Sequence, residues 1–178
     1  VNSDISVVID ALNINIAITN NTYTYTGSPI RLDGDITDEY GNAVSLTDAE
    51  CSYYVNDLLC DIVDVGTYMV EIRSDNTNYV VTLVMNNTIV VDPKPTYVTS
   101  IKAYTYSGYA QDLEYTLSED IESDYEVDTI LDAGEYTYSI VSLDDNYVIV
   151  LENNTFTVSP MTITIDSIDG EYTYTGSD

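Results

Sequence analysis

The sequence predicts an all-β chain folded as tandem antiparallel β-sandwiches. Three observations lead there: side chains alternate between apolar and polar, turn-forming clusters separate the alternating stretches, and several phrases recur at one spacing. "ALNINIAI" puts Leu12, Ile14, Ile16 and Ile18 on one face, and "MTITIDSI" does the same for Met161, Ile163 and Ile165. "GTYMVEI" and "GEYTYSI" alternate too. A two-residue period marks half-buried strands, and no stretch carries a helical period. Thr, Val, Ile and Tyr suit such a pleated surface. "LDGD", "EYGN", "SDNTN" and "SLDDN" supply the turns. Many short strands with regular turn signals indicate a sandwich, here Ig-like with about six to eight strands per unit.

The repeats set the organisation. "YTYTG" ending at Gly27 returns as "YTYSG" at Gly108 and "YTYTG" at Gly176, and the last two glycines lie 68 residues apart. "DVGTYMV" from Asp64 returns as "DAGEYTY" from Asp132, again 68 on, as does "NYVV" from Asn78 as "NYVI" from Asn146. Gly27 and Gly108 are 81 apart, so the first repeat carries 13 extra residues between Gly27 and Gly66, a stretch that includes Cys51 and Cys60. The expected layout is the last strand of a preceding repeat over 1–10, an Ig-like repeat with a cysteine-containing insertion over 11–92, a second Ig-like repeat over 93–159, and the opening strand of a following repeat over 160–178. "DPKP" and "VSPMT" at the joins leave little slack and favour extended backbone. The glycines of the D-x-G phrases, Gly66 and Gly134, are expected at turns that open strands.

Composition narrows the function classes. The chain has 178 residues, with 4 Lys and Arg against 31 Asp and Glu, for a net charge of −27. That charge repels phosphate backbones and anionic lipid, so neither nucleic acid nor direct membrane contact is expected. No apolar run approaches the ~18 residues of a membrane helix, and no signal peptide is visible. Histidine is absent, which removes Ser-His-Asp and Cys-His schemes and all imidazole metal ligands. Carboxylate pairs abound, but nothing marks one as a glycosidase dyad.

Each Tyr pair, Tyr23 with Tyr25, Tyr104 with Tyr106, and Tyr172 with Tyr174, shares one strand face. The expected role is packing, one ring of each pair lying over the sandwich with its hydroxyl reaching water or backbone at the rim; the alternative is an aromatic ledge for sugar rings. Cys51 and Cys60 bracket "SYYVNDLL", where Asn56-Asp57 can turn a hairpin and bring the two within disulfide reach. Asp75, Asn76 and Asn78 in one repeat, and Asp144, Asp145 and Asn146 in the next, are oxygen-rich loops suited to calcium, although no D-x-D-x-D-G spacing accompanies them. Three N-x-T sequons begin at Asn20, Asn86 and Asn153 and are candidate glycosylation sites; at the last two the asparagine can equally open a strand. The two lysines, Lys94 and Lys102, lie outside the first repeat, so that repeat cannot hold an internal isopeptide bond.

The order Y-x-G, D-x-G-x-Y, then N-Y and a terminal strand resembles the MBG-type bacterial Ig-like tandem repeats of large cell-surface adhesin-like proteins. The resemblance spans nearly the whole chain. It implies an extracellular, cell-surface location and a non-enzymatic, rod-like stalk whose partners are adjacent repeats and host or cell-surface glycans or proteins. It carries no catalytic residues. In an extracellular protein Cys51 and Cys60 are expected to be bonded. Two other readings stay open: a self-assembling subunit of a filament, sheath or surface layer that pairs terminal strands with copies of itself, and a carbohydrate-binding module.

Overall fold

In the computed structural model the described residues are 8–45, 49–56, 58–59 and 61–165. Their elements are all strands: β1 (Leu12–Ile18), β2 (Thr22–Thr24), β3 (Gly34–Asp38), β4 (Cys51–Val55), β5 (Leu58–Leu59), β6 (Gly66–Ser74), β7 (Tyr79–Met85), β8 (Thr88–Asp92), β9 (Lys94–Ile101), β10 (Tyr104–Thr105), β11 (Tyr115–Leu117), β12 (Ser123–Val127), β13 (Gly134–Ser142), β14 (Tyr147–Val150) and β15 (Thr155–Ser159). They form sheets ordered β3-β1-β7, β2-β8-β6-β4-β5, β11-β9-β14 and β10-β15-β13-β12. The first two sheets draw only on residues before Pro93 and the last two only on residues after it. Setting aside β5, the second half repeats the first strand for strand and neighbour for neighbour.

Not every pairing is antiparallel. β1 runs parallel to β7, β2 to β8, β9 to β14 and β10 to β15, while the remaining ladders are antiparallel. The chain passes from one sheet to the other between β1 and β2, and again between β7 and β8, in the same sense. Both pairs therefore keep step. Alternation in a sequence reports which face is buried and is silent on strand direction.

Each half has its own buried cluster, fed by both of its sheets. In the first, Ile14, Ile16 and Ile18 of β1 and Ile36 of β3 meet Val70 and Ile72 of β6 and Ile89 and Val91 of β8. In the second, Tyr104, Tyr138, Ile140 and Val158 are buried, with Val98, Tyr115 and Ile149 packed against them. Burying a residue such as Ile contributes roughly 1.5–3 kcal/mol. Pairing registers make Ile14, opposite Val81, the counterpart of Thr96, opposite Ile149. Thr96 is 0% exposed, and its hydroxyl has no hydrogen-bond partner among the described residues. An unpaired buried hydroxyl costs about 1–3 kcal/mol. Thr96→Val keeps the branched shape and is expected to stabilise the second half by about 1–2 kcal/mol; equal or lower stability in denaturant titrations would show the hydroxyl to be satisfied.

Of the 13 extra residues, 7 lie between β3 and β4, 4 between β4 and β6, and 2 lengthen β3 relative to β11. The surplus is thus three small additions rather than one insertion. Cys51 is not among them: it pairs with Ser74 as Ser123 pairs with Ser142, in the common framework. The longest addition is organised by Asp38, which is nearly buried. Its carboxylate accepts hydrogen bonds from the Tyr40 N–H (3.0 Å), the Asn42 N–H (2.7 Å) and Asn42 Nδ2 (2.9 Å). The Asn42 side-chain bond, followed by the backbone donors, holds the Asp38 carboxyl below the ordinary range against the opposing effect of burial. A depressed folded-state pKa adds stability above the unfolded value, near pH 4, and that contribution vanishes as pH falls through the folded one. Asp38→Ala should therefore be less stable than the parent at pH 7, with the gap closing towards pH 2. A gap that does not depend on pH would show that the charge contributes nothing.

Gly27 and Gly108 have φ of 75° and 80°, in the left-handed region where a side chain is strained. That is why the Y-x-G phrase keeps its glycine.

Candidate functional site

The most developed polar and aromatic constellation lies where the halves meet. β8 ends at Asp92 and β9 begins at Lys94, leaving only Pro93 between them. Proline fixes φ and lacks an N–H, so this one-residue link is stiff. From the first half, two segments reach the junction. Tyr25 follows β2, its N–H bonded to the Asp92 carbonyl at 2.8 Å. Asp64 and Val65 lead into β6, and the Asp64 carbonyl is held by the Tyr68 hydroxyl at 2.8 Å.

The second half contributes the turn before β14. Asp144 Oδ1 accepts the Asn146 N–H (2.9 Å), and the Asn146 carbonyl accepts the Lys94 N–H (2.9 Å). With its backbone committed at home, Asn146 sends its side chain across the junction. Oδ1 accepts the Val65 N–H at 2.8 Å, and Nδ2 donates to Asp64 Oδ1 at 3.3 Å. The Tyr147 ring meets Tyr25 edge to face at 5.4 Å and 75°. Burial raises the Tyr25 phenol pKa, with Tyr147, Asp144 and Asp64 adding to it. Beside them Lys94 pairs with Glu119 at 2.8 Å. Two hydrogen bonds at about 0.5–1.5 kcal/mol each and one ring pair of similar size total a few kcal/mol. That suffices to orient tethered partners, whose effective concentration is high.

The expected calcium loops are turns in which Asp75, Asn76, Asp144 and Asn146 hydrogen-bond to protein groups, some within the turn and some beyond it. Asp75 accepts the Ser52 hydroxyl, Asn76 Oδ1 accepts the Asn78 N–H at 3.0 Å, and Asp144 and Asn146 act as described; Asp145 is exposed. Among the described residues no group of three or more His, Cys, Asp or Glu side chains is arranged to hold a metal. The sequon threonines Thr22, Thr88 and Thr155 each begin a strand. Asn20 Oδ1 accepts the Thr22 N–H (3.3 Å), Asn153 Oδ1 accepts the Thr155 N–H (3.1 Å), and Asn86 Nδ2 donates to the Ile18 carbonyl (3.2 Å). All three asparagines are exposed.

Cys51 is half-buried, lines a small apolar cavity of about 120 Å³ with Ile16, Tyr53 and Ile72, and has its thiol pKa raised by burial and by Asp75. Cys60 lies outside the described residues, as do Tyr172 and Tyr174. The expected hairpin is present, with Tyr54 opposite Leu59 and Val55 opposite Leu58 around Asn56, whose φ is 52°. In the other Tyr pairs the first ring packs inward, and its hydroxyl finds backbone. Tyr23 donates to the Asn20 carbonyl at 2.9 Å, and Tyr104 donates to the Asp112 carbonyl at 2.9 Å while accepting the Glu114 N–H at 2.6 Å. The second rings, Tyr25 and Tyr106, are half-buried. Lys102 pairs with Glu114.

Composition and motif reading passed over Tyr25, Asp64, Val65 and Tyr147 as a set. The available signal was that the D-x-G and N-Y phrases each recur at one period, which gives every repeat the same pair of phrases but does not bring them together. Compared with protein-family models, curated proteins and solved structures, the chain matches none.

Proposed function

We propose that the chain is a tandem pair of Ig-like β-sandwich modules of the MBG-type kind, serving as a non-enzymatic, rod-like segment of an extracellular, cell-surface stalk or adhesin. One observation carries this reading. In each half the opening strands run parallel to the closing ones, β1 with β7 and β2 with β8, then β9 with β14 and β10 with β15. The chain therefore enters a module at one end and leaves at the other, and a single proline joins exit to entry. Modules so connected extend in a line. Repulsion at a net charge of −27 discourages folding back. The absence of histidine fits mechanical and contact work rather than chemistry. Partners are then neighbouring modules and the glycans or proteins of a surface.

Small-angle scattering over a range of protein concentrations tests the reading. An elongated monomer with a constant maximum dimension is expected, and a compact particle would overturn it. A dimension that grows with concentration would favour the filament alternative, which has its own support: β7 is an edge strand with Val80, Leu83 and Met85 exposed, and sheet edges capture strands.

A further inference from the structure

We propose that the contact at Pro93 is one instance of a repeating joint whose two other halves, Asn78 with Tyr79 and Tyr106 with Asp132 and Ala133, are each fitted to a further module of this kind joined in tandem. The inference rests on the tandem-module reading above and adds which residues join the modules.

The two halves of the molecule present the same apparatus. Asn78 and Asn146 close the same turn, each N–H bonded to the side chain two residues before it (3.0 and 2.9 Å). Each carbonyl accepts the N–H of the residue that opens the module's first strand, Leu12 at 2.8 Å and Lys94 at 2.9 Å. Asp132 is held like Asp64, its carbonyl accepting the Tyr136 hydroxyl at 3.0 Å. Tyr106 is held like Tyr25, its N–H bonded to the Ser159 carbonyl at 2.8 Å. Even the phenols agree: the Tyr25 and Tyr106 hydroxyls lie 3.8 and 3.9 Å from where a Cβ would stand on Gly27 and Gly108.

The surroundings differ: Tyr25 and Tyr79 pack against the first half's buried cluster, and Tyr106 and Tyr147 are not among the residues packed against the second. Asn146 and Val65, which meet, are half-buried, whereas Asn78 and Ala133, their counterparts, are exposed. The Asn78 side chain and the Ala133 N–H make no hydrogen bond among the described residues. The occupant for Tyr106, Asp132 and Ala133 must supply an acceptor for a backbone N–H, a donor for a carboxylate, and an aromatic edge. A carboxamide followed by a tyrosine meets all three requirements, and a module of this kind carries that pair at the matching place. Two hydrogen bonds and a ring pair are too few to hold separate chains together at micromolar concentration, so the occupant is a tethered module.

Amide hydrogen exchange tests this. In the existing chain Asn146→Ala should speed exchange at Val65 by about tenfold, and Asn78→Ala should leave it unchanged. Appending a copy of residues 111–159 after Asp178 completes a third repeat in register. Exchange at Ala133 should then slow by about tenfold, and Asn146→Ala made in the appended copy should restore the fast rate. If the appended strands are protected but Ala133 still exchanges fast, the joint is overturned and the tandem reading stands. If the appended residues gain no protected strands, both fall.

Discussion

Ile89→Ala is expected to destabilise the first half by about 2–5 kcal/mol and to leave the second half's unfolding where it was. Ile89 is 0% exposed on β8, between β6 and β2, and it lies in the cluster built from β1, β3, β6 and β8. Alanine there deletes buried methyl groups, and the walls, held by ladders on both sides, cannot fully close the gap. The second half's cluster is centred on Tyr104, Tyr138 and Val158. Residue-resolved exchange in increasing denaturant separates the two responses. Equal loss of protection on both sides of Pro93 would mean one shared core and would remove the basis for treating the halves as modules.

Tyr104→Ala should produce the matching loss in the second half, about 3–5 kcal/mol by the measure of other aromatic truncations. The ring is buried and packs 5.1 Å from Phe156, so truncation empties the centre of the smaller cluster. Tyr104→Phe isolates the hydroxyl. It should cost about 1–3 kcal/mol, because the Glu114 N–H and the Asp112 carbonyl both lose a partner. If phenylalanine were as stable as tyrosine, the hydroxyl's bonds would be dispensable, and the phrase would call for an aromatic ring rather than a tyrosine.

The two halves differ in how much of their core the sequence makes legible. The alternation of "ALNINIAI" identified the inner face of β1, because Ile14, Ile16 and Ile18 all belong to the cluster. "KPTYVTSI" hides the equivalent face of β9: its most buried position is Thr96, which looks like a surface residue until the ladder with β14 places it opposite Ile149. The period of 68 was visible, and so was the surplus, but its division among β3, the β3–β4 loop and the β4–β6 segment depended on pairing register. Cys51 looked like part of an insertion for the same reason. Its equivalence to Ser123 is a fact about ladders, not about spacing. Asn146 stands out in the sequence for its oxygen and belongs to a polar site, yet its partners lie 81 and 82 residues away in sequence, at Val65 and Asp64. Only a fold could introduce them.

The parallel pairing of opening and closing strands has a mechanical consequence. Tension applied along such a chain pulls the two members of each pair in opposite directions along their own length. Their hydrogen bonds are then loaded in shear and must fail together rather than unzip one at a time. A module of modest thermodynamic stability can in this way withstand forces that would peel open a hairpin, as the proposed stalk would need.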